Sequence, residues 1–350
     1  MTDKIKINGI EISKDQNVFF VAETGAFFSK DLSVALDYLD MSIEAGVDAF
    51  KTEILHSPDV VYKSAKINVQ YQTSNRIITE DYREFIKGKV LSLDEYSRIF
   101  EKGSSSHIPM IATVFDKIGV DFLIEHKAGA IKISNNNVHN KPLIQYATSS
   151  NLPLIIDLGN VPLWKAMRAL NWVRDMKGEV MFNYHPGCNP APANFHNLSI
   201  IRSLQSQLRT PIGLSCHYIG DEILYAAIGA GVSLIEKGVD MNPDRDEADL
   251  VSAAAFDDLS MIVKKCKNAS MAMGKEVLPV DESRLDKVRT TLSASRFIKR
   301  GELINQNNVN YSWPPIGISP EYWDFIENSP ASVDIQPGDP IKFSDVEFDV

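Results

Sequence analysis

Residues 19–23 read Phe-Phe-Val-Ala-Glu, a short apolar run that ends in a carboxylate. Seven more apolar runs follow, and the polar or charged residues that end them are Lys51, Thr113, Lys132, Asp157, Asn183, Ser215 and the pair Glu236-Lys237. Strands buried on both faces of a parallel sheet read as continuous apolar runs, and helix-like stretches separate these eight. Eight strand–helix units in about 240 residues match a (β/α)8 barrel, whose active site lies at the carboxyl ends of its strands. The sequence therefore predicts an α/β fold, a TIM barrel with these polar side chains at one mouth.

The chain of 350 residues exceeds one barrel by about one small domain. The composition changes near residue 275, and two similar turn-centred pieces follow at 299–304 and 334–341. Short β-like runs of this kind indicate a compact, mostly β module. We predict a barrel domain over 1–274, a linker over 275–282 and the small β domain over 283–350.

Composition excludes several classes of protein. The net charge of −10 disfavours nucleic acid as a partner. No apolar run reaches the ~18 residues of a membrane span, and the N-terminus lacks the apolar stretch of a secretory signal. The three cysteines lack paired spacing, which argues against a zinc site and favours a reducing compartment. We therefore expect a cytoplasmic protein without a membrane partner.

Residues 53–92 interrupt the strand–helix rhythm and are too long for an ordinary connection. We predict a loop with short helices that covers the barrel mouth. The sequence Ser92-Leu93-Asp94-Glu95 is close to a capping box and predicts the next helix over 92–102. Further helices are predicted at 31–45, 117–127, 140–150, 161–176, 195–208, 219–230 and 247–273.

Two lysines at predicted strand ends, Lys51 and Lys132, require partners, because an isolated buried ammonium is costly. A phosphate or carboxylate ligand would supply one. Neutral donors of the type that surround phosphate oxygens are Thr113, Ser134, Asn135 and Ser215. Glu23 is the candidate general acid or base, and His217 could bind a divalent metal or move a proton. Any one of these residues alone could equally be a structural ion pair or hydrogen-bonding group.

Several motifs of the chain resemble those of the sialic acid synthase family, whose members combine a (β/α)8 barrel with a C-terminal antifreeze-protein-like (SAF) domain. The matching segments, in order, are VAETG at 21–25, AGVDAFK at 45–51, ATVFD at 112–116, IKIS at 131–134, GLSCH at 213–217, IEK at 235–237, FIKRGE at 297–302 and GISPEYW at 317–323. Each motif is weak alone. Their order and spacing together are specific and cover nearly the whole chain.

The resemblance implies condensation of phosphoenolpyruvate with a sugar aldehyde. It implies that the donor is held by Lys51, Thr113, Lys132, Ser134 or Asn135, and Ser215, with the catalytic Glu23 beside the reacting carbon. It also implies a Mn²⁺ or Mg²⁺ ion that polarises the aldehyde, bound by His217 and a second histidine.

The departures from the family's motifs lie on the acceptor side. The second metal histidine, in the family's I-E-K-H, is Gly238 here. The aspartate of the family's S-D-H is Cys216, and the R-P-G that reaches a partner subunit's sugar is Trp313-Pro314-Pro315. Donor-side groups are kept while acceptor-side groups change. This asymmetry suggests a different acceptor, a rebuilt metal site or lost activity.

Candidates to rebuild the metal site are His185, Asp240 and Asp249. His185 could instead be a loop histidine bonded to backbone. A single imidazole is a thin anchor for a hard divalent ion, which prefers several oxygen ligands. Cys216 beside His217 raises the alternative of a nucleophilic cysteine, although buried cysteines are usually inert.

Two functions stay open at this point. The first is a phosphoenolpyruvate-dependent transferase that forms a C–C bond and makes a nonulosonic acid or related 2-keto-3-deoxy sugar acid. The second is a non-catalytic relative that binds a sugar or phosphorylated ligand in polysaccharide biosynthesis. The resemblance further implies a domain-swapped homodimer, in which Trp313 would lie near His217 and Lys132 of the other chain and stack on the acceptor. The alternative is that Trp313 anchors the core of its own small domain.

Overall fold

An antiparallel hairpin precedes the barrel, with strands β1 (Lys4–Ile7) and β2 (Ile10–Ser13). Its turn is Asn8-Gly9, and the φ angles of 47° and 83° are the left-handed values that a two-residue hairpin turn requires. Three buried isoleucines of the hairpin pack on apolar residues near the amino ends of the barrel strands. The hairpin therefore closes the bottom of the barrel, opposite the mouth.

Eight parallel strands form the barrel. In chain order the remaining strands of this unit are β3 (Phe19–Glu23), β4 (Ala49–Glu53), β5 (Asn68–Gln72), β6 (Ile77–Asp81), β7 (Met110–Thr113), β8 (Ala130–Ile133), β9 (Leu154–Asp157), β10 (Val180–Tyr184), β11 (Ile212–Cys216), β12 (Leu234–Asp240) and β13 (Ala254–Ala255). The eight barrel strands are β3, β4 and β7 to β12. β12 pairs with both β11 and β3, so the sheet closes on itself. The predicted (β/α)8 barrel is confirmed.

With one exception, the helices of this unit pack outside the strands around one large apolar core. The helices are α1 (Leu32–Glu44), α2 (Tyr82–Lys87), α3 (Leu93–Ser105), α4 (Lys117–Glu125), α5 (Lys141–Ser149), α6 (Leu163–Asp175), α7 (Ile200–Leu208), α8 (Glu222–Ala230) and α9 (Phe256–Met273). The exception is α2, whose Ile86 packs in a separate cluster with Leu55 and Val61. The capping box of Ser92 and Glu95 at the start of α3 is confirmed. Helices α7 and α9 begin later than predicted, because short 3-10 turns at Ala193–Phe195 and Leu250–Ser252 precede them.

The interruption over 53–92 contains more regular structure than we predicted. A 3-10 turn at Pro58–Val60 is followed by an antiparallel hairpin of β5 and β6 and then by α2. The expectation of loops and short helices is therefore wrong for β5 and β6, whose residues alternate between exposed and half-buried.

The computed structural model describes residues 4–64, 66–274, 277 and 280–348. The chain divides into two units, Met1–Gly274 and Lys275–Val350. Four residues of the predicted linker, 275, 276, 278 and 279, lie outside the described residues. No helix within the described ranges is long and apolar enough to cross a membrane.

The second unit is small and mostly β. It contains α10 (Glu282–Val288), β14 (Thr291–Ala294), β15 (Val309–Ser312) and α11 (Trp323–Ile326). β14 and β15 pair antiparallel, and isolated bridges such as Ile298 with Ile335 tie the loops together. The core is aliphatic, built around residues such as Leu292, Ile304 and Ile341. The predicted small β domain is confirmed.

Candidate active site

A cavity of about 480 Å³ opens at the carboxyl ends of the barrel strands. The residues predicted from the barrel sequence share its walls: Glu23, Lys51, Thr113, Lys132, Ser134, Asn135, His185, Ser215, His217 and Asp249. Asp240 does not, because its carboxylate accepts hydrogen bonds from Tyr38 and Arg245 elsewhere. The barrel therefore places around one cavity the side chains that were predicted to bind an anionic ligand, to transfer protons and to bind a metal.

Two buried lysines at the bottom of the cavity share one carboxylate. Oε1 of Glu236 lies 2.6 Å from Nζ of Lys132 and 3.4 Å from Nζ of Lys51. Lys51 also lies 3.0 Å from Oε1 of Glu23, its register partner across β3 and β4. The lysines thus already have carboxylate partners within the protein, so a ligand anion is not needed to neutralise them.

The charges in this cluster stabilise one another. Burial alone would raise the pKa of Glu236, but Lys132 and Lys51 outweigh it and lower that pKa to about 2. Burial alone would lower the pKa of Lys51, but Glu23 and Glu236 outweigh it and raise that pKa above its ordinary value. Glu236 and Lys51 are therefore ionised at neutral pH.

Asp157 and Asn183 complete the surroundings of Lys132. Nζ of Lys132 lies 3.2 Å from Oδ2 of Asp157 and donates to Oγ of Ser215 at 3.2 Å. Nδ2 of Asn183 donates to Ser215 and to Oε2 of Glu236, each at 3.2 Å. Glu236, Asp157 and Asn183 were predicted to lie at this mouth because they end the apolar runs of predicted barrel strands, but the sequence analysis gave them no binding or catalytic role.

Gly213 makes room for Asn183. A Cβ added to Gly213 would stand 2.2 Å from Oδ1 of Asn183, so any side chain there would displace the amide. Oδ1 of Asn183 and Oγ of Ser134 are buried without a hydrogen-bond partner among the described residues. Unsatisfied polar atoms of this kind require an explanation, and a ligand that donates or accepts hydrogen bonds supplies one.

His217 and His185 present different nitrogen atoms to the cavity. Nδ1 of His217 lies 3.2 Å from the carbonyl oxygen of Cys188, which assigns the proton to Nδ1 and leaves a lone pair on Nε2. Nδ1 of His185 instead accepts from the amide of Gly187 at 3.0 Å, so its Nε2 carries the proton. Burial lowers the pKa of His185, which favours the neutral ring. His217 can therefore offer Nε2 to a metal or a proton, whereas His185 offers an N–H.

The residues present do not build the family's pair of histidine ligands. Within the described part of the chain, no three histidine, cysteine, aspartate or glutamate side chains are grouped so as to hold a metal ion. Asp249 is held by Asn189, whose amide donates to its Oδ1 at 3.0 Å. Of the two histidines that line the cavity, His217 is the one whose ring nitrogen leaves a lone pair free. We derive no step of the reaction through a metal.

Gly238 lies where a second imidazole would face the cavity. It follows the register pair Cys216–Lys237, so it sits beside His217. A Cβ at Gly238 would make ordinary contacts of 3.7 Å or more with Ala253 and Glu23. The backbone therefore leaves room for a side chain there. Cys216 is buried, and burial raises the pKa of its thiol, which argues against a nucleophilic cysteine.

The upper part of the cavity is aromatic and carries a third lysine. Nζ of Lys89 lies 3.4 Å from the ring centroid of Phe27 and 4.2 Å from that of Phe85, and 3.1 Å from Oε1 of Glu247. Burial lowers the pKa of Lys89 and raises that of Glu53, another strand-end carboxylate in the wall. Sequence reasoning missed both residues. No sequence motif indicates Lys89, but Glu53 is the last residue of the buried strand β4 and could have been identified from that position.

Trp313 lies just after β15 in the second unit, and 75% of its surface is exposed. The alternative in which Trp313 anchors the core of its own domain is therefore wrong. Tyr311 and Ile316 nearby are also exposed. An exposed tryptophan flanked by other large apolar side chains is available to contact a partner or a ligand.

Two family models match this chain. The model of the NeuB family matches residues 38–278, and that of the SAF domain matches residues 289–347. An N,N'-diacetyllegionaminic acid synthase of Legionella pneumophila is 26% identical, over 98% of this chain and 98% of its own. A pseudaminic acid synthase of Campylobacter jejuni is 25% identical, over 95% of this chain and 97% of its own.

Among solved structures, an N-acetylneuraminic acid (sialic acid) synthetase of Leptospira borgpetersenii superposes with a TM-score of 0.72 at 23% identity. The match covers 81% of this chain and 94% of that one. At this identity the likeness establishes the shared fold.

Proposed function

The chain belongs to the NeuB family, whose model matches residues 38–278, and we propose that it condenses phosphoenolpyruvate with an aldose or N-acyl amino sugar. The products would be a nonulosonic, 2-keto-3-deoxy sugar acid and inorganic phosphate. The observation that carries the proposal is the pair of buried lysines, Lys51 and Lys132, joined through Glu236 at the bottom of the mouth.

The lysine pair suits a donor with two anionic groups. Phosphoenolpyruvate carries a carboxylate and a phosphate on one carbon, and each could approach one ammonium. Ser134, Thr113 and Ser215 line the same wall and add hydroxyl donors. Fixed donors of this kind stabilise the charge of a leaving phosphate without reorganisation.

In the reaction we propose, C3 of the donor forms a bond to the aldehyde carbon of the acceptor, and the aldehyde oxygen takes a proton. Water adds to C2 and releases one proton. The C2–O bond to phosphate then breaks, and the remaining hydroxyl proton passes to the departing phosphate as C2 becomes a ketone. Glu23, beside Lys51, is positioned for one of these proton transfers. His217, through Nε2, is positioned for another.

The test is phosphate release from phosphoenolpyruvate across a panel of amino-sugar and plain aldose acceptors, with and without Mn²⁺. We expect release with at least one acceptor. Release from none would favour the second candidate, a non-catalytic relative that binds a sugar or phosphorylated ligand. Gly238, which removes the family's second metal histidine, is the observation that favours that candidate.

We expect Gly238→His to raise the affinity for Mn²⁺ by about tenfold or more, because it would place a second imidazole beside His217. Titration calorimetry with Mn²⁺ measures the change. The matched control adds His217→Ala to Gly238→His, which should return the affinity to that of the unaltered protein. Equal affinities in all three proteins would mean that neither side chain binds the ion. We also expect activity in the unaltered protein to depend only weakly on added metal.

We further propose an isologous homodimer in which Trp313 of one chain reaches the cavity of its partner and stacks on the acceptor. Trp313→Ala should then raise the KM for the acceptor by about two- to tenfold, since an aromatic contact is worth about 0.5–1.5 kcal/mol, and leave the KM for phosphoenolpyruvate unchanged. Tyr311→Ala is the matched control, because Tyr311 is also exposed and lies on β15, the strand that precedes Trp313. A monomer by light scattering, or equal acceptor KM values in both variants, would contradict this assembly.

A further inference from the structure

Asp157 stands where a phosphate oxygen would meet Lys132. Nζ of Lys132 contacts Oε1 of Glu236 at 2.6 Å, Oδ2 of Asp157 at 3.2 Å and Oγ of Ser215 at 3.2 Å. An ammonium has three donors. An incoming phosphate must therefore replace one of these contacts or share its hydrogen.

Of the two carboxylates that contact Lys132, Glu236 makes more hydrogen bonds and ion pairs than Asp157. Its Oε1 bridges Lys132 and Lys51, and its Oε2 accepts from Asn183. Asp157 has fewer bonds. Besides Lys132, its side-chain partners among the described residues are Ser215, which donates over a long 3.4 Å, and His185, whose Nε2 lies 3.7 Å away and thus beyond a normal hydrogen bond. Asp157 is thus the contact that a phosphate would compete with.

Lys51, Lys132 and the three carboxylates that contact them carry together a surplus of one negative charge. Lys51 and Lys132 contribute two positive charges, and Glu23, Asp157 and Glu236 contribute three negative ones. A phosphate arriving at Lys132 therefore meets a carboxylate of its own sign among buried side chains, where repulsion is stronger than in bulk water. A donor that also binds Lys51 through a second anionic group can overcome this repulsion, because the two groups bind as one molecule.

We propose, on the basis of the proposed function, that Asp157 makes the site specific for a molecule with two anionic groups, because it weakens the binding of free phosphate. Phosphate stays while it is attached to the donor's carboxylate-bearing carbon. Once the C2–O bond breaks, phosphate loses that tether and Asp157 expels it. The residue is a specificity determinant and does not take part in bond making.

The test measures inorganic phosphate and phosphoenolpyruvate binding separately by titration calorimetry at neutral pH. Asp157→Asn keeps the shape of the side chain and leaves Lys132 bonded to Glu236 and Ser215. We expect it to bind inorganic phosphate at least about tenfold more tightly than the unaltered protein. Asp244→Asn changes the net charge equally at an exposed carboxylate that does not line the cavity, and it should stay within about twofold.

Asp157→Ser serves as a second neutral variant, and thermal unfolding verifies that both variants fold. Unchanged or weaker phosphate binding in both folded variants would overturn the proposal, because Asp157 would then only support Lys132. If both variants gain phosphate affinity while phosphoenolpyruvate binds neither them nor the unaltered protein, the role of Asp157 stands. In that event the donor assigned under the proposed function is wrong.

Discussion

Lys132→Ala is expected to weaken phosphoenolpyruvate binding by about 2 kcal/mol or more and to lower the free energy of unfolding by about 3–5 kcal/mol. The binding loss follows because a desolvated phosphate loses a charge-assisted hydrogen bond. The stability loss follows because Glu236 would remain buried with half of its cationic partners gone. Calorimetry with phosphoenolpyruvate and chemical unfolding measure the two effects. Lys51→Ala should behave likewise.

A double variant separates the two effects. Lys132→Ala with Glu236→Gln removes the carboxylate along with the ammonium, so it should recover stability without recovering binding. Lys237→Ala is the matched control, because Lys237 is also buried but donates to the carbonyls of Tyr218 and Gly220 outside this cavity. It should lose stability and keep its affinity for phosphoenolpyruvate. Normal binding by folded Lys132→Ala would show that Lys132 is a structural ion-pair member.

Glu23→Gln is expected to reduce turnover by about 100-fold or more while leaving phosphoenolpyruvate affinity within a few-fold. The amide keeps the size of the side chain beside Lys51 but cannot exchange a proton with the reacting atoms. Steady-state kinetics and direct binding measure the two quantities.

Glu23→Asp provides the conservative comparison. It retains the carboxylate on a side chain shorter by one methylene, so it should recover part of the lost turnover. Turnover of Glu23→Gln within a few-fold of the unaltered protein would remove Glu23 from the acid–base role. Equal losses in both variants would indicate that only the position of the side chain matters.

The barrel was predictable because each strand is an apolar run buried on both faces and its end is a polar residue. The resemblance to the sialic acid synthase family is confirmed by the NeuB and SAF matches. The bottom hairpin was also within reach of the sequence, since Asn8-Gly9 flanked by alternating isoleucines is a strong hairpin signal. We did not predict it from those residues.

The partners of the lysines could not be predicted from strand ends alone. Successive side chains of a strand face opposite sides, so only one of Glu236 and Lys237 can enter the barrel. Glu236 does, and joins both lysines, while Lys237 points to backbone carbonyls outside. The sequence gives the two residues equal standing. Only the closed sheet, with its register between β11 and β12, decides between them.

The aromatic upper wall depends on contacts that are distant in sequence. Lys89 follows α2, yet its ammonium lies over the ring of Phe27 and pairs with Glu247, which follows the last strand of the barrel in the sequence. No local pattern predicts such a meeting. This aromatic wall is therefore the part of the cavity for which the sequence was least informative.

The central claim is that the lysine pair holds phosphoenolpyruvate for a condensation that breaks the C2–O bond. The direct measurement follows a heavy oxygen isotope placed at the atom that bridges C2 and phosphorus, in the presence of a productive acceptor. Mass spectrometry should find the label in the inorganic phosphate, together with a sugar acid whose new carbonyl oxygen comes from water. Label left on pyruvate or on the sugar acid would mean that the P–O bond breaks instead, and would contradict the account.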